Sequence, residues 1–240
     1  MSDSLSRHWE YFDKIFCISV DDRIDRQKQA KAQFDRVGLS SLVEFLFVKR
    51  HPEDCEQGIY ESHLLCIKKA LDTGADTILI FEDDIIFDRF TPEILETCVG
   101  FLSSDTEWKL FFMGCLVKKS RKTGIRSIRK IKYRSLTHAY VLNKKSAKQI
   151  LGKKWGGVAY DAMLRTVNGG IYALYPSFAF QSNSPTDNRN YPGLDRFRKF
   201  CGGLEHIQKM NELYHRHRIC VISAHIFIFL LILFRAMGLY

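Results

Sequence analysis

The sequence predicts an α/β protein built on a Rossmann-like, mixed but mostly parallel sheet with helices on both faces, followed by an apolar C-terminal helix. Three observations carry this. Short apolar, β-prone segments alternate with longer helix-like segments as far as residue 114. Glycines and capping residues punctuate the helix-like segments. A 16-residue apolar run, "ICVISAHIFIFLLILF" (219–234), stands apart from both patterns, interrupted only by Ser223 and His225. Strands that alternate with helices indicate a parallel sheet, because each crossover must pass over one face of it.

The elements follow in order. "KIFCISV" (14–20) is a compact apolar strand, and "DDRIDRQKQAKAQFDRVG" (21–38) a helix with acids early and Gly38 at its end. "LVEFLFV" (42–48) is a second strand. "GIYESHLLCIKKALDTG" (58–74) is a helix stopped by Gly74, and "DTILIFEDD" (76–84) a third strand. "TPEILETCVGFL" (91–102) reads as a helix with Thr91 at its cap and Pro92 at its first position, and "WKLFFMG" (108–114) as a fourth strand. Beyond it the pattern loosens. Residues 118–134 carry nine Lys or Arg and no acid, and read as a solvated stretch. "LTHAYVLN" (136–143) is a strand, "KKSAKQIL" (144–151) and "YDAMLRTVN" (160–168) are helices, and "GIYALYP" (170–176) is a strand. The Asn-, Ser-, Pro- and Asp-rich residues 181–193 suit a mobile surface loop, and a last helix covers about 203–218. No repeat or linker divides residues 1–218, so one domain with a tail at 219–240 is expected.

Composition narrows the class. A chain of 240 residues with 46% hydrophobic and 13% aromatic content can fill a core, which excludes general disorder. The net charge of +9 points to an anionic partner, a nucleotide phosphate, an acidic membrane surface or nucleic acid, without choosing among them. Seven cysteines without a CxxC pair fit free, mostly buried thiols in a reducing compartment rather than a zinc or disulfide framework. The polar start "MSDSLSRHWEYFDK" has no apolar secretory core. The apolar tail is somewhat short against the ~20 residues of a spanning helix. Snorkelling by Arg235 would extend it toward Tyr240, and "HRHR" (215–218) on its N-terminal side would keep the main domain cytoplasmic. A membrane anchor is the first expectation, an in-plane membrane helix the second, and a buried core or oligomer helix the third.

The chemistry centres on "ILIFEDDIIFD" (78–88), where an apolar strand runs into Glu82, Asp83 and Asp84. Ligands of parallel α/β sheets bind beyond the carboxyl ends of the strands. If the strand persists, Glu82 and Asp84 share one face and Asp83 takes the other. The cluster is then either a strand end in solvent or a site for Mg²⁺ or Mn²⁺ that also holds the oxygens of a diphosphate.

"FCISVDDRIDR", "GIYESHLLCIKKALDTGADTILIFEDDIIF" and "LTHAYVLNKKSAKQIL" together resemble glycosyltransferase family 25, the group of lipooligosaccharide and collagen galactosyltransferases. The likeness covers roughly residues 13–182. It is most specific over 58–88, where Gly58, Ser62, His63, Ala70, Leu71, Gly74, Glu82, Asp83 and Asp84 keep the family spacing. The resemblance implies a GT-A-like fold. It also implies inverting transfer of a hexose, galactose or glucose, from a UDP-sugar to a hydroxyl of a glycan, glycolipid or glycoprotein, commonly with Mn²⁺ or Mg²⁺. On that reading Asp84 is the first metal ligand and Glu82 the second, or a neighbour of the ribose. Ser19, Val20, Arg23, Ser62, His63, Glu82, Asp83 and His138 would contact the nucleotide sugar. Asp161 would sit near the acceptor as the base that takes its hydroxyl proton. Two departures stand out: the basic turn reads Asp21-Asp22-Arg23, and Tyr60 replaces the usual Cys.

Plainer roles compete for several of these residues. Asp161 follows a glycine pair and suits a helix cap, His63 suits a core histidine, and His138 a strand cap. Arg23 is preferred to Arg26 for facing a diphosphate. The basic run suits solvent, an anionic acceptor or lipid headgroups. With Tyr133 its only aromatic, it does not suit single-stranded nucleic acid. The expected protein is a metal-dependent glycosyltransferase at the cytoplasmic face of a membrane. The rivals are a nucleotide-sugar-binding or scaffold protein without turnover, and a metal-dependent phosphoryl or nucleotidyl transferase.

Overall fold

A computed structural model describes residues 7–183 and 192–237. Most of the loop expected at 181–193, and Tyr240, lie outside them. The described strands are β1 (Lys14–Val20), β2 (Val43–Val48), β3 (Thr77–Glu82), β4 (Ile85–Phe87), β5 (Leu110–Phe112), β6 (Leu116–Lys122), β7 (Ile128–Ser135), β8 (Ala139–Asn143), β9 (Ile171–Leu174) and β10 (Ala179–Gln181). The helices are α1 (Ile24–Arg36), α2 (Cys55–Asp72), α3 (Pro92–Ser104), α4 (Lys144–Leu151), α5 (Tyr160–Leu164), α6 (Pro192–Phe200), α7 (Gly203–Arg216) and α8 (Arg218–Ala236).

Eight strands form one sheet in the order β2-β1-β3-β8-β5-β9-β7-β6. The mixed, mostly parallel expectation holds: β7 and β8 run against the other six strands. The fourth strand of the βα series, β5, is separated from β3 by β8, which lies between them and antiparallel to both. A strand in mid-sheet must be apolar on both faces, and Ala139, Tyr140, Val141 and Leu142 are all fully buried.

Strand alternation divides the core into two layers. Leu79, Phe81 and Phe111 face α1 and α3 through Phe34, Leu95 and Cys98. Ile78, Ile80, Leu110 and Phe112 face α2, α4 and α5 through Ile67, Ile150 and Tyr160. Tyr60 belongs to the second layer, with its ring against Trp155 and Tyr160 and its hydroxyl 3.2 Å from the Lys153 carbonyl. The larger residue at the family's Cys position thus fills core space. Four cysteines (Cys17, Cys66, Cys98 and Cys115) are buried, and none of the seven is in a disulfide.

Three segments depart from expectation. Helix α2 starts before Gly58, because Asp54 caps it by accepting from the Glu56 and Gln57 amides at 2.8 and 3.3 Å. The basic run folds into the β6–β7 hairpin, since Val117, Ile131 and Tyr133 pack into one core layer and Ile128 into the other. Ala159, not Asp161, holds the N-cap of α5, so Asp161 is not a capping residue. Strands β4 and β10, which pair antiparallel in a separate small sheet, and helix α6 have no counterpart in the sequence reading. Helix α8 is exposed along its apolar length, so it is not a buried core helix of this chain.

Candidate functional site

The acidic motif sits where β3 ends. Glu82 is its last residue, and Asp83 and Asp84 form the turn into β4. Strand alternation stops there, so the expectation that Asp83 points away from Asp84 fails. Both approach Arg26 of α1. Its Nη1 lies 3.2 Å from Asp83 Oδ1 and 3.7 Å from Asp84 Oδ2. Ser19 at the end of β1 donates to Asp83 Oδ2 at 2.6 Å. Gln181 on β10 donates to Asp84 Oδ2 at 2.7 Å, which places the small sheet against the site. Thr137 donates to Glu82 Oε1 at 2.6 Å, and His63 Nε2 lies 3.4 Å from the same oxygen. His63 is fixed by stacking on Tyr160 at 4.1 Å and by a 2.9 Å hydrogen bond to the Tyr140 hydroxyl.

Burial separates the three carboxyls. Burial pushes Asp84 up to about 7, with Glu82's charge adding to it and Arg26 and Gln181 opposing. Burial also raises Asp83, against Ser19 and Arg26. Burial would raise Glu82 too, but His63 and Thr137 bring it below the usual range. Asp84 therefore binds its proton more tightly in the folded chain than in the unfolded one. Folding takes up a proton between about pH 4 and 7, so stability falls as pH rises through that window. We expect the melting temperature in EDTA to drop by on the order of 5 °C or more from pH 5 to pH 8. Mn²⁺ should recover more of it at pH 8 than at pH 5. A flat profile, or one unchanged by Asp84→Asn, would contradict the assignment.

Two cavities flank the turn. One of about 280 Å³ lies at the carboxyl ends of β1, β2 and β3 and is lined by Ser19, Val20, Ser62, His63, Glu82, Asp83 and Asp84. A second, of about 790 Å³, contains Asp161, which pairs with Arg165 at 3.3 Å. Ile59, Glu82 and Gln181 line both. Two expected residues line neither. Arg23 folds back on Asp25 at 2.9 Å, and His138 is buried, its Nε2 hydrogen-bonded to the Ala179 carbonyl at 3.1 Å. The basic residue beside the acids is Arg26, not Arg23. Lys49, Arg50 and His51 also line the smaller cavity. They follow β2 directly, so the strand-end rule that singled out "EDD" identifies them too. Gly58 makes room for this loop: a Cβ there would lie 2.8 Å from His51 Cβ. Arg50 bonds Asp22 at 3.0 Å, bringing a cation beside the acidic Asp21-Asp22 turn.

The donor set suits a hard divalent ion. Asp84 Oδ1 is buried and has no hydrogen-bond partner, and Glu82 offers a second carboxylate. No group of three or more His, Cys, Asp or Glu suited to a metal gathers among the described residues. An ion here would be held by one or two carboxylates with its other positions open, the arrangement typical of cations that share substrate phosphates.

Three solved structures show a loose likeness to the chain. A197 from STIV is 12% identical, with 70% of this chain and 84% of that one covered and a TM-score of 0.47. A glycosyltransferase involved in the glycosylation of the major capsid of PBCV-1 is 10% identical over 57% and 62%, with a TM-score of 0.36. A mannose-1-phosphate geranyltransferase from Thermus thermophilus is 10% identical over 71% and 63%, with a TM-score of 0.39. No curated protein sequence matches. The profile of glycosyltransferase family 25 (LPS biosynthesis protein) matches residues 48–164, which span the Lys49-Arg50-His51 loop, α2, the acidic turn and Asp161. Residues 48–164, just under half of the chain, are thus similar to glycosyltransferase family 25, and this match supports a glycosyltransferase.

Proposed function

We propose that this glycosyltransferase transfers a hexose, with inversion, from a UDP-sugar to a hydroxyl of a glycan, glycolipid or glycoprotein. The observation that carries the proposal is the shared wall of the two cavities. A transferase must bring a donor and an acceptor to one reacting carbon, and Glu82, Ile59 and Gln181 face both spaces. The smaller cavity suits the nucleotide diphosphate, with Arg26, Lys49 and Arg50 opposite its negative charge. The larger suits the acceptor.

Asp84, with Glu82, would hold the Mn²⁺ or Mg²⁺. When bound, the ion supplies positive charge to the departing diphosphate. Arg26 keeps Asp83 and Asp84 in place from the α1 side. Asp161, aligned by Arg165, takes the proton of the attacking hydroxyl in the larger cavity. Helix α8 associates the chain with a membrane, either spanning it or lying in its plane, with the catalytic domain on the cytoplasmic side.

The test is to incubate the full chain with UDP-galactose, UDP-glucose and Mn²⁺, with and without sugar and glycolipid acceptors. Acceptor-stimulated release of UDP, abolished by EDTA, is expected. Absence of binding to any UDP-sugar would overturn the donor assignment. Binding without UDP release would favour a protein that has lost turnover, and release of UMP or pyrophosphate a phosphoryl or nucleotidyl transferase.

A further inference from the structure

The chain's positive charge is concentrated in one place. Its formal net charge is +9, and residues 118–134 alone carry nine Lys or Arg and no acid, so the remainder of the chain is balanced. In the hairpin these charges face one another: Lys119 is opposite Lys132, Arg121 opposite Lys130, and Lys122 opposite Arg129. Like charges directly across an antiparallel pair are destabilising. Among the described residues none of the nine has a carboxylate partner, and all but Arg129 are exposed. Strand β6 is the sheet edge, where lysines protect against edge-to-edge pairing. That explains one half of each pair. It does not explain the other half, because β7 is an inner strand between β9 and β6.

The hairpin is also a rigid platform tied to the root of the apolar tail. Val117, Ile131 and Tyr133 are buried beneath it. On α7, Asn211 bonds both backbone groups of Val117 at 2.9 and 3.1 Å, and His215 Nε2 lies 3.1 Å from the Val117 carbonyl. One residue after His215 α7 ends at Arg216, and α8 begins at Arg218. The basic hairpin and the exposed apolar helix thus leave the domain from adjoining positions. At the hairpin's base, Leu116 and Arg134 line the larger cavity.

We propose that the outer face of the β6–β7 hairpin docks on the anionic phospholipid headgroups of the bilayer that receives α8, and so turns the larger cavity toward the membrane surface. Headgroup phosphates supply the negative charge that the cross-strand pairs lack. This rests on the membrane reading of α8, and the test separates the two.

Flotation of the full chain is compared on vesicles of phosphatidylcholine alone and of phosphatidylcholine mixed with phosphatidylglycerol. The variant replaces Lys119, Arg121, Lys130 and Lys132 by Ser, none of which lines either cavity. Each basic residue at an anionic surface contributes about fivefold in partitioning. The native chain should favour the anionic vesicles at least tenfold at low salt, and the variant should lose most of that preference. High salt should remove it from the native chain. The variant should melt no lower than the native chain, since it relieves repulsion, which excludes misfolding as the cause. Equal partitioning of the native chain, or an unchanged preference in the variant, overturns the proposal. So does a variant that loses binding to an RNA oligonucleotide while keeping its vesicle preference. Binding to neutral vesicles, with and without residues 219–240, reports on α8 alone. If that binding is absent while the anionic preference stands, the α8 reading fails and the hairpin assignment survives.

Discussion

Asp84→Asn is expected to slow Mn²⁺-dependent transfer by about 100-fold or more while making the cation-free protein more stable above neutral pH. The two effects have one cause. Asp84 is buried, and its carboxyl is pushed up to about 7 by that burial and by Glu82. Ionising it in the folded chain is costly, and a neutral amide of the same shape avoids the cost. The same substitution removes the charge that a divalent ion requires, and Asn is a much poorer ligand for a hard cation. Gln181, which donates to Asp84 Oδ2, keeps an acceptor in the Asn side-chain oxygen. Turnover and melting curves at pH 8, with and without EDTA, check both halves. Turnover within a few-fold of the native protein would remove Asp84 as the metal ligand. Reduced stability would show that the buried charge is better compensated than Arg26 and Gln181 suggest.

The second large effect is expected at Asp161. Asp161→Asn should lower kcat by roughly 10²- to 10⁴-fold, the usual contribution of a positioned general base, and leave donor binding intact. Asp161 lines only the larger cavity, so the cavity proposed for the donor does not include it. Its partner Arg165 also donates from Nε to the Arg134 carbonyl and stays anchored without the ion pair. The check is a kcat and KM pair measured for donor and acceptor separately, beside titration of UDP-sugar binding. An unchanged kcat would remove Asp161 as the base.

Much of the fold was legible because it rests on local signals. Thr91 and Pro92 open α3, Gly38 and Gly74 follow α1 and α2 with positive φ, and β1, β2 and β3 are largely apolar runs. The insertion of β8 between β3 and β5 was not legible. Periodicity reports which strands are buried on both faces, and β5 and β8 both are, but it does not order them. The hairpin was hidden by its charge, since only Val117, Ile128, Ile131 and Tyr133 interrupt the basic residues with buried apolar ones. At the site, "EDD" was visible as a strand end, yet the turn that follows Glu82 cancels the alternation that would separate Asp83 from Asp84. Arg26 was passed over for Arg23 because helical phase, not nearness to the turn, decides which side chain faces the acids. Gln181 reaches Asp84 from 97 residues away, and nothing in its local sequence points there. Lys49, Arg50 and His51 were within reach of the same rule that singled out "EDD".

With donor and acceptor in the two cavities as proposed, Ile59, Glu82 and Gln181, which line both, would make each substrate part of the other's container. Donor and acceptor selectivity are then not independent properties of this enzyme. A substitution that widens one chamber through these side chains narrows or reshapes the other. A change of sugar preference made here would be read first as a change of acceptor range, and attempts to re-engineer either would have to select for the pair.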